Sequence, residues 1–325
     1  MPDRDATEIT TELTATSATE KGVAGERAGP VTAYCAIATQ NQSIGKRRSA
    51  DVCRGVGADH RFFVRVLRIR SPGGAEPARM ISVKNYGPDT YGERIAEVYD
   101  QLYLDAKPEQ VELLAELAGA GPVLELGIGT GRLALPLAAR VPVHGIDASP
   151  AMVERLRAKP GGAHVPVSIG DFTDFELGER FSLVFVAFNT FFALPSQHAQ
   201  LSCFRAVARH LAPGGRFLVE AFVPDPSRFD RGHQVVSLRH VELDEVGLDC
   251  SVHDPVGQRV TTQHVMLGPG GLTFHPVELR YAWPAELDLM ATVAGIEPTA
   301  RWGSWDRRPF TADSTSHVSI WQARS

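Results

Sequence analysis

Between Pro122 and Arg132 the chain reads PVLELGIGTGR: an acid, Glu125, then glycines at alternate positions, Gly127, Gly129 and Gly131. Glycines at a turn adopt φ > 0 and let a ligand approach without meeting a Cβ. If a helix follows, its unpaired N–H groups and positive dipole end favour a carboxylate or phosphate at the same place. Further along, three more polar residues each follow an apolar run: Asp147, Asp171 and Asn189. A dinucleotide fingerprint needs G-x-G-x-x-G; here the third glycine comes one residue early and the required position is Arg132. No Lys-Ser or Lys-Thr follows, which excludes a P-loop. A strand-to-helix turn that is merely rich in glycine, with Asp147 and Asp171 as turn or helix caps, is the simpler alternative.

These residues need a parallel sheet to bring them together. From residue 122 onward strand and helix patterns alternate, the mark of such a sheet. Strands are expected at Val123–Leu126, Val141–Ile146, Val165–Ile169, Ser182–Ala187 and Arg216–Phe222, the last after a Pro213-Gly214-Gly215 turn. Helices are expected over 133–140, 150–158 and 196–211, with Ser149 as an N-cap before Pro150. In a doubly wound sheet ligands sit at the carboxyl ends of the strands, where Glu125, Asp147, Asp171 and Asn189 would share one rim. Asp147 can accept hydrogen bonds from both hydroxyls of a ribose, and Asp171 from an exocyclic amine of a base. Phe172 and Met152 can sandwich that base. The glycine loop is left for an amino-acid-like tail.

Upstream, ERIAEVYDQLYL (Glu93–Leu104) puts Ile95, Val98, Tyr99, Leu102 and Tyr103 on one face of an amphipathic helix. The two tyrosines suit either a core or a lid over the ligand. A second helix is expected at Pro108–Ala118, ended by Gly119. Residues 234–282 read as four short strands joined by tight turns. A helix at Pro284–Ala294, stopped by Gly295, and strands Glu297–Trp302 and His317–Ala323 close the chain.

The net charge of the 325 residues is -5. Residues 1–44 contribute six acids and three bases, and residues 45–79 nine bases and three acids, which leaves -8 for the rest. An acidic body argues against a nucleic-acid substrate. Four cysteines lack metal-ligand spacing and are too sparse for a disulfide scaffold, so a cytoplasmic location is expected and no metal. No apolar run is long enough to span a membrane, and from the acidic, polar first residues no signal peptide is expected. Residues 1–79 read as a disordered extension whose basic stretch is either a solvated tail or an arm for an anionic partner. The periodic text begins at Met80, the expected natural start.

ELGIGTGR, GIDASPAM, IGDFTDF and LAPGGRFL, in that order and at that spacing, resemble the sequential motifs of the class I S-adenosylmethionine-dependent methyltransferases. The resemblance covers residues 90–223, and the closing strands extend it to the C-terminus. It implies an α/β fold: a doubly wound, seven-stranded, mostly parallel Rossmann-like sheet whose last strand, His317–Ala323, runs antiparallel. Residues 80–224 would form the cofactor-binding core, 225–282 an inserted antiparallel substrate cover, and 283–325 the closing helix and strands. The cofactor would be S-adenosyl-L-methionine, leaving as S-adenosyl-L-homocysteine. The implied roles are Gly127, Gly129 and Gly131 around the methionine moiety with Glu125 beneath it. Asp147 would bind the ribose, with Ala148 and Met152 beside the adenine. Asp171 and the Phe172 backbone would bind the adenine amine, and Phe188 and Asn189 would line the methyl-donor end. The leading helix with Tyr99 and Tyr103 resembles the lid of small-molecule methyltransferases, including those that N-methylate sugar amines in antibiotic pathways. Strand four ends in AFNT and lacks the Asn/Asp-Pro-Pro-aromatic of nucleic-acid amino-methyltransferases.

The expected reaction is N- or O-methylation of a small organic acceptor, with a homodimer as the expected assembly. Candidates for a proton-accepting or positioning role are Tyr99, Tyr103 and His264, with His198 and Glu220 behind them. Phe222, Phe274, Arg280, Tyr281 and Trp283 are expected to line the acceptor pocket. The competing readings are a nicotinamide-dependent oxidoreductase, which does not explain Asp171, and a non-catalytic binding protein that keeps the fold.

Overall fold

The computed structural model describes residues 83–103 and 105–323. The expected disordered extension, the basic stretch and the Met80 start lie outside the described residues. In chain order the elements are α1 (Thr90–Ile95), α2 (Tyr99–Leu102), α3 (Pro108–Ala118), β1 (Val123–Leu126), α4 (Ala134–Ala138), β2 (Val143–Asp147), α5 (Pro150–Ala158), β3 (Val167–Ile169), β4 (Phe181–Val186), α6 (Gln197–His210) and β5 (Leu211–Phe222). There follow β6 (Gln234–Val241), β7 (Val246–Asp254), β8 (Arg259–Gly268), β9 (Gly271–Arg280), α7 (Pro284–Ala294), β10 (Ile296–Trp302) and β11 (Ser316–Ala323).

Seven strands form one sheet in the order β10-β11-β5-β4-β1-β2-β3. β11 runs antiparallel to both neighbours, while the β1–β2, β1–β4, β2–β3 and β4–β5 pairs are parallel. This is the expected doubly wound sheet with an antiparallel last strand. Its buried strands alternate between two helical layers, as a period of two demands. In β4, Val184 and Val186 pack with Phe204, Phe217 and Trp321 towards α6 and α7. Leu183 and Phe185 face the other way, with Leu114 of α3 and Leu137 of α4. The four remaining strands form a separate antiparallel sheet in the order β6-β7-β8-β9.

The helix ends follow local chemistry. Ser149 caps α5, its Oγ accepting the Met152 N–H at 3.2 Å, with Pro150 in the first turn. Gly295 ends α7 in the left-handed region at φ 84°.

Besides shifts of a few residues at element ends, as in β2, β3 and α4, two expectations change. The leading amphipathic segment is two short helices, broken at Ala96–Val98. Its ends are tethered to different elements: Glu93 to the start of α5, and Asp100 to Thr130 and Lys159. The break falls between those tethers. Pro213-Gly214-Gly215 is a bulge inside a longer β5, because Phe181 pairs with Leu211 while Leu183 already pairs with Arg216.

Candidate functional site

The glycine loop connects β1 to α4. Gly127, Gly129 and Gly131 have φ of 74°, 55° and 81°, the left-handed region that other residues reach at a cost. They differ in what surrounds them. A Cβ on Gly127 would lie 2.5 Å from Thr190 Cγ2, so that glycine is fixed by close approach. A Cβ on Gly129 would meet nothing within 4 Å, so the loop opens towards space there.

A small cleft opens at this loop, lined by Tyr99, Glu125, Gly127, Gly129, Arg132 and Phe188 among others. Of the residues singled out on sequence, Gly131, Asp147, Ala148, Met152, Asp171, Phe172 and Asn189 stand outside its immediate lining. Glu125 is buried, and its Oε2 has no hydrogen-bond partner. Burial raises its pKa well above the usual carboxylate range; Asp147 adds to the rise, and Arg132 opposes it.

Asp147 holds the loop in shape. Its Oδ2 accepts the Gly129 N–H at 2.7 Å, and its Oδ1 accepts the Ser149 N–H at 2.8 Å. Burial raises its pKa against the pull of those two N–H groups. Asp171 is engaged locally, accepting from the Thr173 N–H and hydroxyl at 2.7 and 2.8 Å. Phe172 is buried in the main core, and Met152 lies beneath the leading segment with Ile95 and Ala96.

Phe188 and Asn189 both sit at positive φ, 57° and 66°, which is uncommon for two successive non-glycine residues. Glu220 holds this turn. Its carboxylate accepts the Phe188 N–H at 2.8 Å and the Trp305 indole N–H at 2.6 Å. Asn189 Oδ1 accepts the Phe222 N–H at 2.7 Å. Glu220 thus fixes a turn. His198 is exposed on α6, outside the cleft lining. The turn presents the Phe188 ring to Arg132, whose guanidinium lies 5.1 Å from the ring centroid, and to Tyr103, 5.0 Å between centroids.

The leading segment closes one side. Glu93 Oε1 accepts the Ser149 hydroxyl at 2.7 Å and the Ala151 N–H at 3.0 Å. Asp100 accepts the Thr130 hydroxyl at 2.6 Å and pairs with Lys159 at 2.8 Å. The Tyr99 and Tyr103 rings lie 4.7 Å apart between centroids, tilted by 48°, and the Tyr103 and Tyr91 hydroxyls meet at 2.8 Å.

The four-stranded sheet adds a charged cluster. Arg239 donates to the Tyr103 hydroxyl at 3.1 Å and approaches His264 Nδ1 at 3.0 Å. The same nitrogen lies 2.5 Å from Asp249 Oδ1, opposite it on the neighbouring strand. Tyr99, Tyr103 and His264 are therefore linked, Tyr103 and Arg239 being the bridge. Arg132, Arg239 and Asp249 were missed on sequence. Arg132 could have been noticed directly after the last glycine; the other two depend on strand register.

Arg280 and Tyr281 stand outside the lining of this cleft. Arg280 is buried and bonds Gln200, Gln258 and Glu286, and the Tyr281 hydroxyl meets His253 at 2.9 Å. Among the described residues no cluster of side chains could hold a metal, and no helix is long and apolar enough to cross a membrane.

Residues 123–215 match the methyltransferase-domain family. The chain is similar to the cypemycin N-terminal methyltransferase of a Streptomyces species, 32% identical over 241 residues, which are 72% of this chain and 97% of that protein. It is also similar to a dTDP-4-amino-2,3,4,6-tetradeoxy-D-glucose N,N-dimethyltransferase of Saccharopolyspora spinosa, 29% identical over 58% of this chain and 76% of that protein. Among solved structures, the CcbJ methyltransferase from Streptomyces caelestis superposes with a TM-score of 0.69 at 43% identity, covering 74% of this chain and all of that one.

Proposed function

Because the chain belongs to the class I S-adenosylmethionine-dependent methyltransferases, we propose that it methylates an amine nitrogen of a small acceptor in specialised metabolism. Two relatives support the choice of nitrogen: one is named for a peptide N-terminus and the other for an aminosugar. The observation that carries the cofactor reading is the unpartnered Oε2 of Glu125 beside the glycine loop. A buried acceptor without a donor is costly, and the α-ammonium of an amino-acid tail supplies one.

In this reading the loop of Gly127, Gly129 and Gly131 cradles the tail. Asp147 takes the ribose hydroxyls on its remaining lone pairs. Ala148 and Met152 flank the adenine, Asp171 and Phe172 meet its amine, and Phe188 and Asn189 shape the methyl-donor end. When bound, S-adenosylmethionine supplies an electrophilic methyl group on a sulfonium. The chain has to align the acceptor, which can contribute up to about 7–11 kcal/mol, and to take up one proton. Tyr99 does not serve as a phenolate: its pKa is pushed up to about 12, chiefly by burial. It and Tyr103 act as hydrogen-bonding walls. In the tautomer whose Nδ1–H is turned to Asp249, His264 keeps a lone pair on Nε2 that can take the proton.

The leading segment and the four-stranded sheet form the acceptor side. The acidic body favours a small acceptor over nucleic acid. The buried free thiol of Cys203 suits the cytoplasm. A homodimer would use the exposed apolar Val236, Leu238, Leu272 and Phe274 of the four-stranded sheet. The test is a mass-spectrometric screen of candidate amines and alcohols with S-adenosylmethionine. Amines should gain one or two methylene units; transfer to alcohols alone would overturn the nitrogen assignment.

A further inference from the structure

One residue from each strand of the smaller sheet meets in a single rung: Ser237, Asp249, His264 and His275. Residues paired across strands put their side chains on one face. Arg239, the extra residue of a bulge in β6, joins that face and reaches Tyr103 of the leading segment. His275 Nδ1 is buried and has no hydrogen-bond partner. Burial holds the pKa of His275 below the ordinary histidine value, and the charges of His264, Arg94 and Arg239 push the same way. The guanidiniums are short of acceptors. His264 Nδ1 lies 2.5 Å from Asp249 Oδ1 and 3.0 Å from Arg239 Nη1. One nitrogen cannot give a proton to the acid and accept one from the arginine at once, and at the shorter distance the acid takes it. Arg239 then keeps one full hydrogen bond among the described residues, to the Tyr103 hydroxyl at 3.1 Å, and a longer ion pair to Asp249 at 3.8 Å. Arg94 of α1 holds the Phe274 carbonyl only at 3.5 Å.

Two guanidiniums against one carboxylate leave this corner positive, although residues 80–325 carry a net charge of -8. Cations with unused donors beside an unpartnered buried imidazole nitrogen complement an oxyanion, which accepts from all three groups. We propose that Arg239, Arg94 and His275 bind an anionic group of the methyl acceptor, a carboxylate or a phosphate ester, so that the acceptor is an amine that also carries an acid. The proposal rests on the reading above that the leading segment and the four-stranded sheet form the acceptor side. The planar fork of Arg239 suits either oxyanion. An ammonium is repelled here, so the corner sorts the two ends of the acceptor. The acid lies with Arg239, and the amine lies towards Phe188. Tyr103 spans the two places: its ring is 5.0 Å from that of Phe188, and its hydroxyl takes the Arg239 N–H.

The test follows the ring nitrogens of His275 by nitrogen NMR of isotope-labelled histidine in the full chain. Methyl phosphate, acetate and methylammonium chloride are added in turn at constant ionic strength. Saturating S-adenosylhomocysteine keeps the anions off the glycine loop. The His275 signals are assigned by their loss in His275→Gln, or by through-space contacts to Phe274 and Pro276 should that variant not fold. Acetate or methyl phosphate should move these signals saturably, and methylammonium should leave them in place. The anion that binds more tightly tells a carboxylate from a phosphate ester. Arg239→Met should weaken that binding by at least about tenfold, and Arg239→Lys should restore part of the loss. Should Arg239→Met not fold, Arg94→Met carries the comparison, with a smaller loss expected. No movement with either anion, movement with methylammonium, or an undiminished anion response in the arginine variant overturns the proposal. The series is repeated without S-adenosylhomocysteine. A chain that answers to anions at His275 but does not bind S-adenosylhomocysteine keeps the anion site and loses the cofactor reading.

Discussion

Glu125 and Asp147 are acids side by side, each with a raised pKa for which burial is the chief cause. A carboxyl whose pKa is higher folded than unfolded contributes stability that is present below the unfolded value and is lost as pH rises through the folded value. The ligand-free chain should therefore lose stability as pH rises through the folded pKa values of the two acids, and Glu125→Gln should reduce that slope in melts across pH, leaving the share of Asp147. An ammonium brought to Glu125 favours its ionised form, so cofactor binding should release a proton. Titrations in buffers of different ionisation enthalpy should show this in the wild type and lose it in Glu125→Gln. Asp147→Ala removes the acceptor of the Gly129 and Ser149 N–H groups. The loss of charge-assisted bonds worth about 1.5–3 kcal/mol each should weaken S-adenosylhomocysteine by at least about tenfold. Glu125, the glycines and Asp147 were legible because their types and spacing along one chain carry the chemistry. Arg239 and Asp249 were not. They reach His264 and Tyr103 only through the pairing of β6, β7 and β8, and hairpin register depends on turn geometry that composition leaves open.

At the scale of elements, the leading segment acts as a strap. Glu93 fastens it to the start of α5, and Asp100 to Thr130 and Lys159. Gly92 makes the first fastening feasible: a Cβ there would lie 2.5 Å from Ser149 Cβ and 3.1 Å from Met152 Cγ. Gly92→Ala should push the strap off α5, seen as faster limited proteolysis within 83–103 with little change in the melting of the core. Asp100→Asn and Lys159→Met should speed S-adenosylhomocysteine dissociation, measured by stopped flow, with the association rate little changed. The amphipathic face of this segment was legible from its periodicity, since Ile95, Val98, Tyr99, Leu102 and Tyr103 do gather with Met152. The break between α1 and α2 was not, because it comes from tethers to residues more than 25 positions away. The elements set by local signals, such as α5 after Ser149-Pro150 and α7 before Gly295, lie where caps and glycine place them.

For the whole molecule, the joint between the two sheets matters most. Arg280 at the end of β9 is buried and bonds Glu286 of α7 at 2.7 Å, Gln200 of α6 at 2.7 Å and Gln258 at 3.0 Å. Removing one partner of a buried pair leaves an uncompensated charge, so Glu286→Ala should cost about 3–5 kcal/mol in denaturant unfolding. On sequence Arg280 looked like an acceptor contact, because an isolated basic residue in a strand does not reveal which helices will cover it. The parallel sheet was legible from alternation of strand and helix, its antiparallel last strand from the family resemblance, and the second sheet from its turns; the strand order was not. Its attachment to the core was not. The account as a whole turns on the ligand that the glycine-loop cleft accepts. Its most direct test is calorimetric titration of S-adenosylhomocysteine and NAD into the full chain and into Asp147→Ala. The prediction is that S-adenosylhomocysteine binds the wild type, binds Asp147→Ala far more weakly, and that NAD gives no heat. Binding of NAD, or no binding of S-adenosylhomocysteine to folded wild-type protein, would contradict it.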